Sequence, residues 1–487
     1  MNFTKKIISA IATGSLVMQL LVTPAFASTV LQISGNGANT TSTATVTSNT
    51  TTAVTQSNSA NINNDIDADS DSGNNSAIEN TGGDVRILTG DASTGIRVEN
   101  VANKNSASVA CCENSDTLLR ILGNGANSTN ASTADLRNTN VLTQDNSADV
   151  HNDVDADAKT GWNDAGQNTN GNVLIDTGTA SVGTIIRNVL NNNAAAVNGC
   201  CDGETKAVIA GNGAESANRT SLSLANTNVL TQYNSADVYN DVDADAKTGW
   251  NDADQNTGGS VTINTGDALV QSLISTAANA NRGIIGGLTG NPTSVILDIF
   301  GNGFASDNTA SLALSRTNVL TQDNSADVHN DVDADAKSGK NDANENVGGD
   351  VLIDTGDAIA DLGIVNRLNF NRAALDCCGF DIAGVISDNG AQSTGDITSS
   401  LDDLKVITQS SAAGLDNSAD ADPTSGKNDA DAHTAAISII DPVTIRTGDA
   451  ISEVEVANLT NGNSVGIPFE LPFEFDFDWT DLSIWWI

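Results

Sequence analysis

From about Ala126 to Ala158, small, aliphatic and amide residues alternate strictly with carboxylates and hydroxyls. The even positions run Ala134, Leu136, Asn138, Asn140, Leu142, Gln144, Asn146, Ala148, Val150, Asn152, Val154, Ala156 and Ala158. Between them lie Asp135, Arg137, Thr139, Val141, Thr143, Asp145, Ser147, Asp149, His151, Asp153, Asp155 and Asp157. A period of two predicts half-buried β-strand with the even positions inward. A second run on the same period is Val173, Ile175 and Thr177, then Ala180, Val182, Thr184, Ile186, Asn188 and Leu190.

The pattern repeats about every 88 residues. The phrase TNVLTQDNSADVHNDVDADAKTG at 139–161 returns almost unchanged at 227–249 and 317–339. A GNG tripeptide opens the units at Gly35, Gly123, Gly211 and Gly301, with Asp388-Asn389-Gly390 as a worn copy. A TGDA element closes them at Thr89, Thr265, Thr355 and Thr447, with Thr177–Ala180 as a variant. These marks divide the chain into repeats at 31–117, 118–205, 206–293 and 294–383, a degenerate fifth at 384–465, and a distinct segment at 466–487.

One straight strand over the whole alternation would span roughly 100 Å, far beyond ordinary strands. The chain must either turn corners as a coiled solenoid or build an unusually elongated sheet. Inward amides need partners, and identical amides stacked about 4.8 Å apart supply them. The expectation is an all-β parallel solenoid with several coils in each unit; tandem β-sandwich domains are the alternative.

Residues 1–27 read as a secretory signal: Lys5 and Lys6, an apolar stretch from Ile7 to Val22, and Ala25-Phe26-Ala27 before Ser28. No later segment is apolar enough to cross a bilayer as a helix, so a secreted or cell-surface location is expected, with no transmembrane segment in the mature chain. Without the leader the chain keeps 19 basic residues against 61 acidic ones, 51 of them Asp. Such a charge repels phosphate and argues against nucleic acid as a partner.

Four DxDxD triplets are the candidate metal ligands: Asp65, Asp67 and Asp69; Asp153, Asp155 and Asp157; Asp241, Asp243 and Asp245; Asp331, Asp333 and Asp335. They do not fit the EF-hand loop, since Ala158 stands where that loop needs Gly and Asp164 where it needs Glu. Stacked carboxylates about 5 Å apart repel by on the order of 1 kcal/mol per pair even in water, so counterions are required. Calcium, the common extracellular divalent cation, is the candidate cofactor; a solvated acidic face is the plainer reading.

Three vicinal pairs, Cys111-Cys112, Cys200-Cys201 and Cys377-Cys378, are candidate disulfides, either within a pair or between units or subunits. His151 and His329 share a repeat position with Tyr239 and Asn63, which suits a surface better than a catalytic site. Trp162 and Trp250 offer faces for sugar rings, although the next copy has Lys340 there. The terminal segment alternates Phe473, Phe475, Phe477 and Trp479 with acids, as an end cap or as a strand that docks onto another subunit or a cell-envelope partner.

Enzymes concentrate chemistry at one unusual place, whereas every carboxylate motif here recurs in register, so no catalytic residue is assigned. Over about residues 31–465 the architecture resembles repetitive secreted bacterial cell-surface proteins of the adhesin-stalk, surface-layer and matrix type. That resemblance implies a non-enzymatic structural protein, calcium-stabilised and self-associating as a homo-oligomer or polymer. An adhesin or glycan-binding stalk, with specificity around 282–296, is the alternative, and a polysaccharide-acting enzyme a more distant one.

Overall fold

The structure is a computed structural model that describes residues 7–14, 18–22, 29–109, 116–197, 204–286, 293–375, 379–434 and 442–466. Two strands, β1 (Ile7–Gly14) and β2 (Met18–Val22), precede the repeats. Each repeat then adds four strands in the same order. The first gives β3 (Thr29–Ser34), β4 (Thr41–Gly73), β5 (Val85–Leu88) and β6 (Ala92–Val109). The second gives β7 (Thr117–Leu122), β8 (Thr129–Gly161), β9 (Val173–Asp176) and β10 (Ala180–Val197). The third gives β11 (Glu204–Ala210), β12 (Ala217–Gly249), β13 (Val261–Thr265) and β14 (Ala268–Ile285). The fourth gives β15 (Thr293–Phe300), β16 (Asp307–Gly339), β17 (Val351–Thr355) and β18 (Ala358–Leu375). The fifth gives β19 (Phe380–Ser387), β20 (Thr394–Gly426), β21 (Val443–Arg446) and β22 (Ala450–Val465).

Equivalent strands stack in parallel, making four sheets. The long sheet is β4-β8-β12-β16-β20, and the return sheet β6-β10-β14-β18-β22. Two short sheets, β3-β7-β11-β15-β19 and β5-β9-β13-β17-β21, complete each turn. The fold is a parallel β-solenoid. Register is strict, so that Asn58, Asn146, Asn234 and Asn324 form one column with Ser411 at its end.

The expectation of several coils per unit is corrected: each 88-residue unit makes one coil. The repeated phrase does not turn corners but remains a single 33-residue strand, roughly 110 Å long. It can stay straight because β7 and β10 of the same unit cover its inner face, while β9 packs on the corner at Ala165. Val154 and Ala156 of the long sheet pack on Val182 and Ile186 of the return sheet. Ala148 and Val150 meet Leu190, and Leu142 meets Val197. Toward the other end Ala134 meets Leu119 and Ile121. The solenoid is therefore two layers thick, very wide, and five coils deep.

The inward face predicted for the second unit is buried from Ala134 to Ala158, with Leu136 half-buried. The second predicted run is buried at every named position from Val173 to Leu190. The glycine after the long strand marks the corner. Gly161 has φ +111°, and a Cβ there would lie 1.9 Å from the Gly249 carbonyl oxygen of the next coil. Only glycine fits both the backbone and the stacking distance.

Candidate functional site

The chemistry-bearing side chains lie in columns that run through the stack, one residue per coil. Outside, the DxDxD motifs fall in register. Asp65, Asp153, Asp241 and Asp331 form the first column; Asp67, Asp155, Asp243, Asp333 and Asp420 the second; Asp69, Asp157, Asp245, Asp335 and Asp422 the third. Partial burial, joined by the carboxylates of Asp245, Asp155 and Asp333, pushes Asp243 up to about 6. The same causes raise Asp155 and Asp333. Asp243 keeps contact with water on its outer side, so solvent screens part of the repulsion.

These columns form lines, not cages. Among the described residues no group of three or more His, Cys, Asp or Glu side chains is placed to hold a metal ion. The third column is partly neutralised from within the chain. Lys159 pairs with Asp157, Lys247 with Asp245 and Lys337 with Asp335, each from two residues along the strand. No enclosed set of six to eight oxygens, as a calcium site would need, is present among these residues.

A second acidic group, which the sequence reading passed over, sits at the corner after the long strand. Burial and the neighbouring Asp252 and Asp342 carboxylates push Asp254 up to about 7, against the Asn344 amide that donates to it. Burial also raises Asp252 and Asp342.

Aromatic columns share the outer surface. His151, Tyr239 and His329 stack with ring centroids 4.9 Å apart, which accounts for the interchange of ring types between copies. Trp162 stacks on Trp250 at 4.9 Å, and the Lys340 ammonium lies 4.3 Å from the Trp250 ring centre. The faces of Trp250 are thus occupied within the protein.

Inside, the amides form the expected ladder and more. In the column Asn64, Asn152, Asn240, Asn330 and Asn417, each Nδ2 donates to the next Oδ1 at 2.6–2.7 Å. The glutamine column runs the opposite way, with Gln232 donating to Gln144 and Gln322 to Gln232 at 2.8 Å. Amides also cross between the layers: Asn105 donates to Asn146, Asn146 to Asn193, and Asn193 to Asn234, at 2.8–2.9 Å. Two facing ladders are thereby joined into one buried network.

The column Asn103, Asn191, Asn279, Asn369 and Asn461 escaped the sequence reading. Each has φ between 59° and 65° in the middle of a return strand. This one left-handed residue reverses the alternation, so burial moves from even positions up to Leu190 to odd positions from Asn191 to Val197. Asn191 Nδ2 donates to the Ser235 carbonyl of the long sheet at 2.6 Å and to Asn279 Oδ1 at 2.9 Å. The signal was present: the even-position run stops at Leu190, and an Asn follows it at the same place in each copy.

The six cysteines, and Phe473, Phe475, Phe477 and Trp479, lie outside the described residues, as does part of the 282–296 segment. Among the described residues no helix is long and apolar enough to cross a membrane. In comparisons with known proteins, no family model, curated protein or solved structure matches the chain.

Proposed function

We propose that this chain is a secreted, non-enzymatic structural protein of the cell surface or extracellular matrix. The observation that supports the reading is that the DxDxD carboxylates, the inner amides and most outer rings stand in columns. These carboxylates, amides and rings recur coil after coil, which suits a repeating scaffold better than one site prepared for a single substrate; Asp254 is the exception, facing Gly166 and Asn344 in the adjoining coils. What the columns do well is hold parallel strands together and present an acidic, hydrated outer wall. Calcium or other cations would act by relieving repulsion along the Asp columns.

The test is location and mechanical role. Antibody labelling of intact cells should decorate their surface or the surrounding matrix, and deleting the gene should alter that layer while leaving polymer-degrading activities of the culture unchanged. Label confined to the cell interior would sink the reading. A glycan-binding role draws less support, because Trp250 is stacked between Trp162 and the Lys340 ammonium. Saturable binding to a defined oligosaccharide, lost in Trp162→Ala, would revive it.

A further inference from the structure

Among the described residues the long sheet stops at both ends, while β1 and β2 continue the return sheet on β6 at the first end. β4 pairs only with β8, and β20 only with β16, so each leaves a 33-residue edge without a strand partner among the described residues. At the fifth coil the interior columns also run out into solvent. Ile445 is 44% exposed, whereas its partner Ile353 one coil earlier is fully buried. Val456 is 43% exposed against a fully buried Ile364. A capping repeat would place polar residues there; this coil keeps apolar ones.

The ends also differ in hydrogen-bonding sense. In the column Asn75, Asn163, Asn251, Asn341 and Asn428, the backbone N–H and Nδ2 of each of the first four both donate to the next Oδ1, at 2.9–3.3 Å. The direction is always from the first coil toward the fifth. Asn428 Nδ2, the last donor, is enclosed and has no partner among the described residues. The first coil ends the same column on an acceptor, Asn75 Oδ1. One end finishes on a donor, and the other opens on its complement.

We propose that the partner of each end is a second copy of this chain, with the fifth coil of one molecule carrying the first coil of the next in register. This deepens the structural reading above by naming what the protein binds. The exposed apolar columns then continue into buried ones, and the donor-to-acceptor sense of the asparagine column runs on from one molecule to the next. The contact joins unlike ends, so it generates an open, polar filament and not a closed dimer. Its strands lie across the filament axis with a repeat of about 4.8 Å. Both ends are acidic, so growth requires screening by salt, calcium or acid.

The experiment uses the processed chain from Ser28, because β1 and β2 pair with β6 over Gly95–Ala102 and Asn105–Val109, on the edge where β22 of another copy would lie. Light-scattering mass is followed as salt or calcium is raised, with electron microscopy and fibre diffraction of the product. Continuous growth into unbranched filaments with a meridional reflection near 4.8 Å is expected. The double variant Ile445→Lys and Val456→Lys alters side chains already exposed in the single molecule, so it should fold with unchanged circular dichroism yet fail to grow. Mixed with the unaltered chain, it should shorten filaments by ending growth on one side. A mass that halts at a dimer, a variant that grows normally, or a monomer held by its own 467–487 segment under every condition would each overturn the proposal. None of these would bear on surface location, which the labelling experiment tests separately.

Discussion

Replacing Asn191 tests both halves of the interior argument, the amide ladder and the left-handed kink. Its side chain is fully buried. It donates to the Ser235 carbonyl and Asn279 Oδ1, and accepts from Asn103 Nδ2 at 2.9 Å. At about 1 kcal/mol for each internal hydrogen bond, Asn191→Gly should cost about 3 kcal/mol while leaving the backbone unstrained at φ 59°. Asn191→Ala loses the same bonds and adds about 1 kcal/mol for holding a Cβ in the left-handed region. Asn191→Asp keeps the acceptor but buries a charge where a donor is needed, so it should be the most damaging of the three. Urea unfolding followed by circular dichroism gives the order, provided the transitions keep a common slope. A glycine variant as stable as the parent would mean that the ladder contributes nothing. An alanine variant more stable than the glycine one would refute the kink.

The corner glycines give a harsher test. Gly249→Ala would set a Cβ 1.9 Å from the Gly339 carbonyl oxygen at φ +100°, so the coils must part there. A loss of at least ~3 kcal/mol and new proteolytic cleavage between β12 and β13 are expected. The dependence on pH should run opposite to ordinary acid denaturation. Asp254 and Asp243 titrate in the fold near 7 and 6, above their ordinary value of 3.8, so between about 4 and 7 the folded state holds more protons than the unfolded one. Stability should therefore rise as pH falls from 8 toward 5 and level off below about 4; calorimetry that shows a falling melting temperature over pH 8 to 5 would contradict this. Finally, the chain that retains residues 1–27 should stay monomeric where a chain begun at Ser28 grows, and equal growth by light scattering would show that β1 and β2 do not guard the β6 edge.

Much of the architecture could be read because its cause is local. The period of two placed Val154, Ala156 and Asn152 inward by the geometry of a strand alone, and the identity of amides between copies required that they stack. The number of coils per unit was not legible in this way. It depends on whether two shorter strands can cover one long one, a matter of tertiary fit and not of pattern. The kink at Asn191 is a single left-handed residue, invisible to periodicity except as the place where the alternation breaks. The raised acids at the corner depend on Asp252, Asp254 and Asp342 coming together across a 90-residue interval that only the stacking closes.

Near-identical coils carry a hazard that the same columns answer. A strand that meets a copy of itself can slip along it, and with a period of two a slip of two residues keeps every apolar group inside. Hydrophobic burial alone cannot reject that error. Amides can: the slip would set Asn146 against Ala236 in place of Asn234, leaving a buried donor and acceptor without partners at a cost of about 1–3 kcal/mol for each group. The corners reject it as well, since moving Gly249 off Gly161 brings a side chain into a space where a Cβ would lie 1.9 Å from a carbonyl oxygen. The outward acids then set the terms on which coils meet at all. Within one molecule the chain brings its coils together whatever their charge, whereas between molecules the same carboxylates repel until cations or protons relieve them. Register is thus specified by what is buried, and the moment of association by what is exposed.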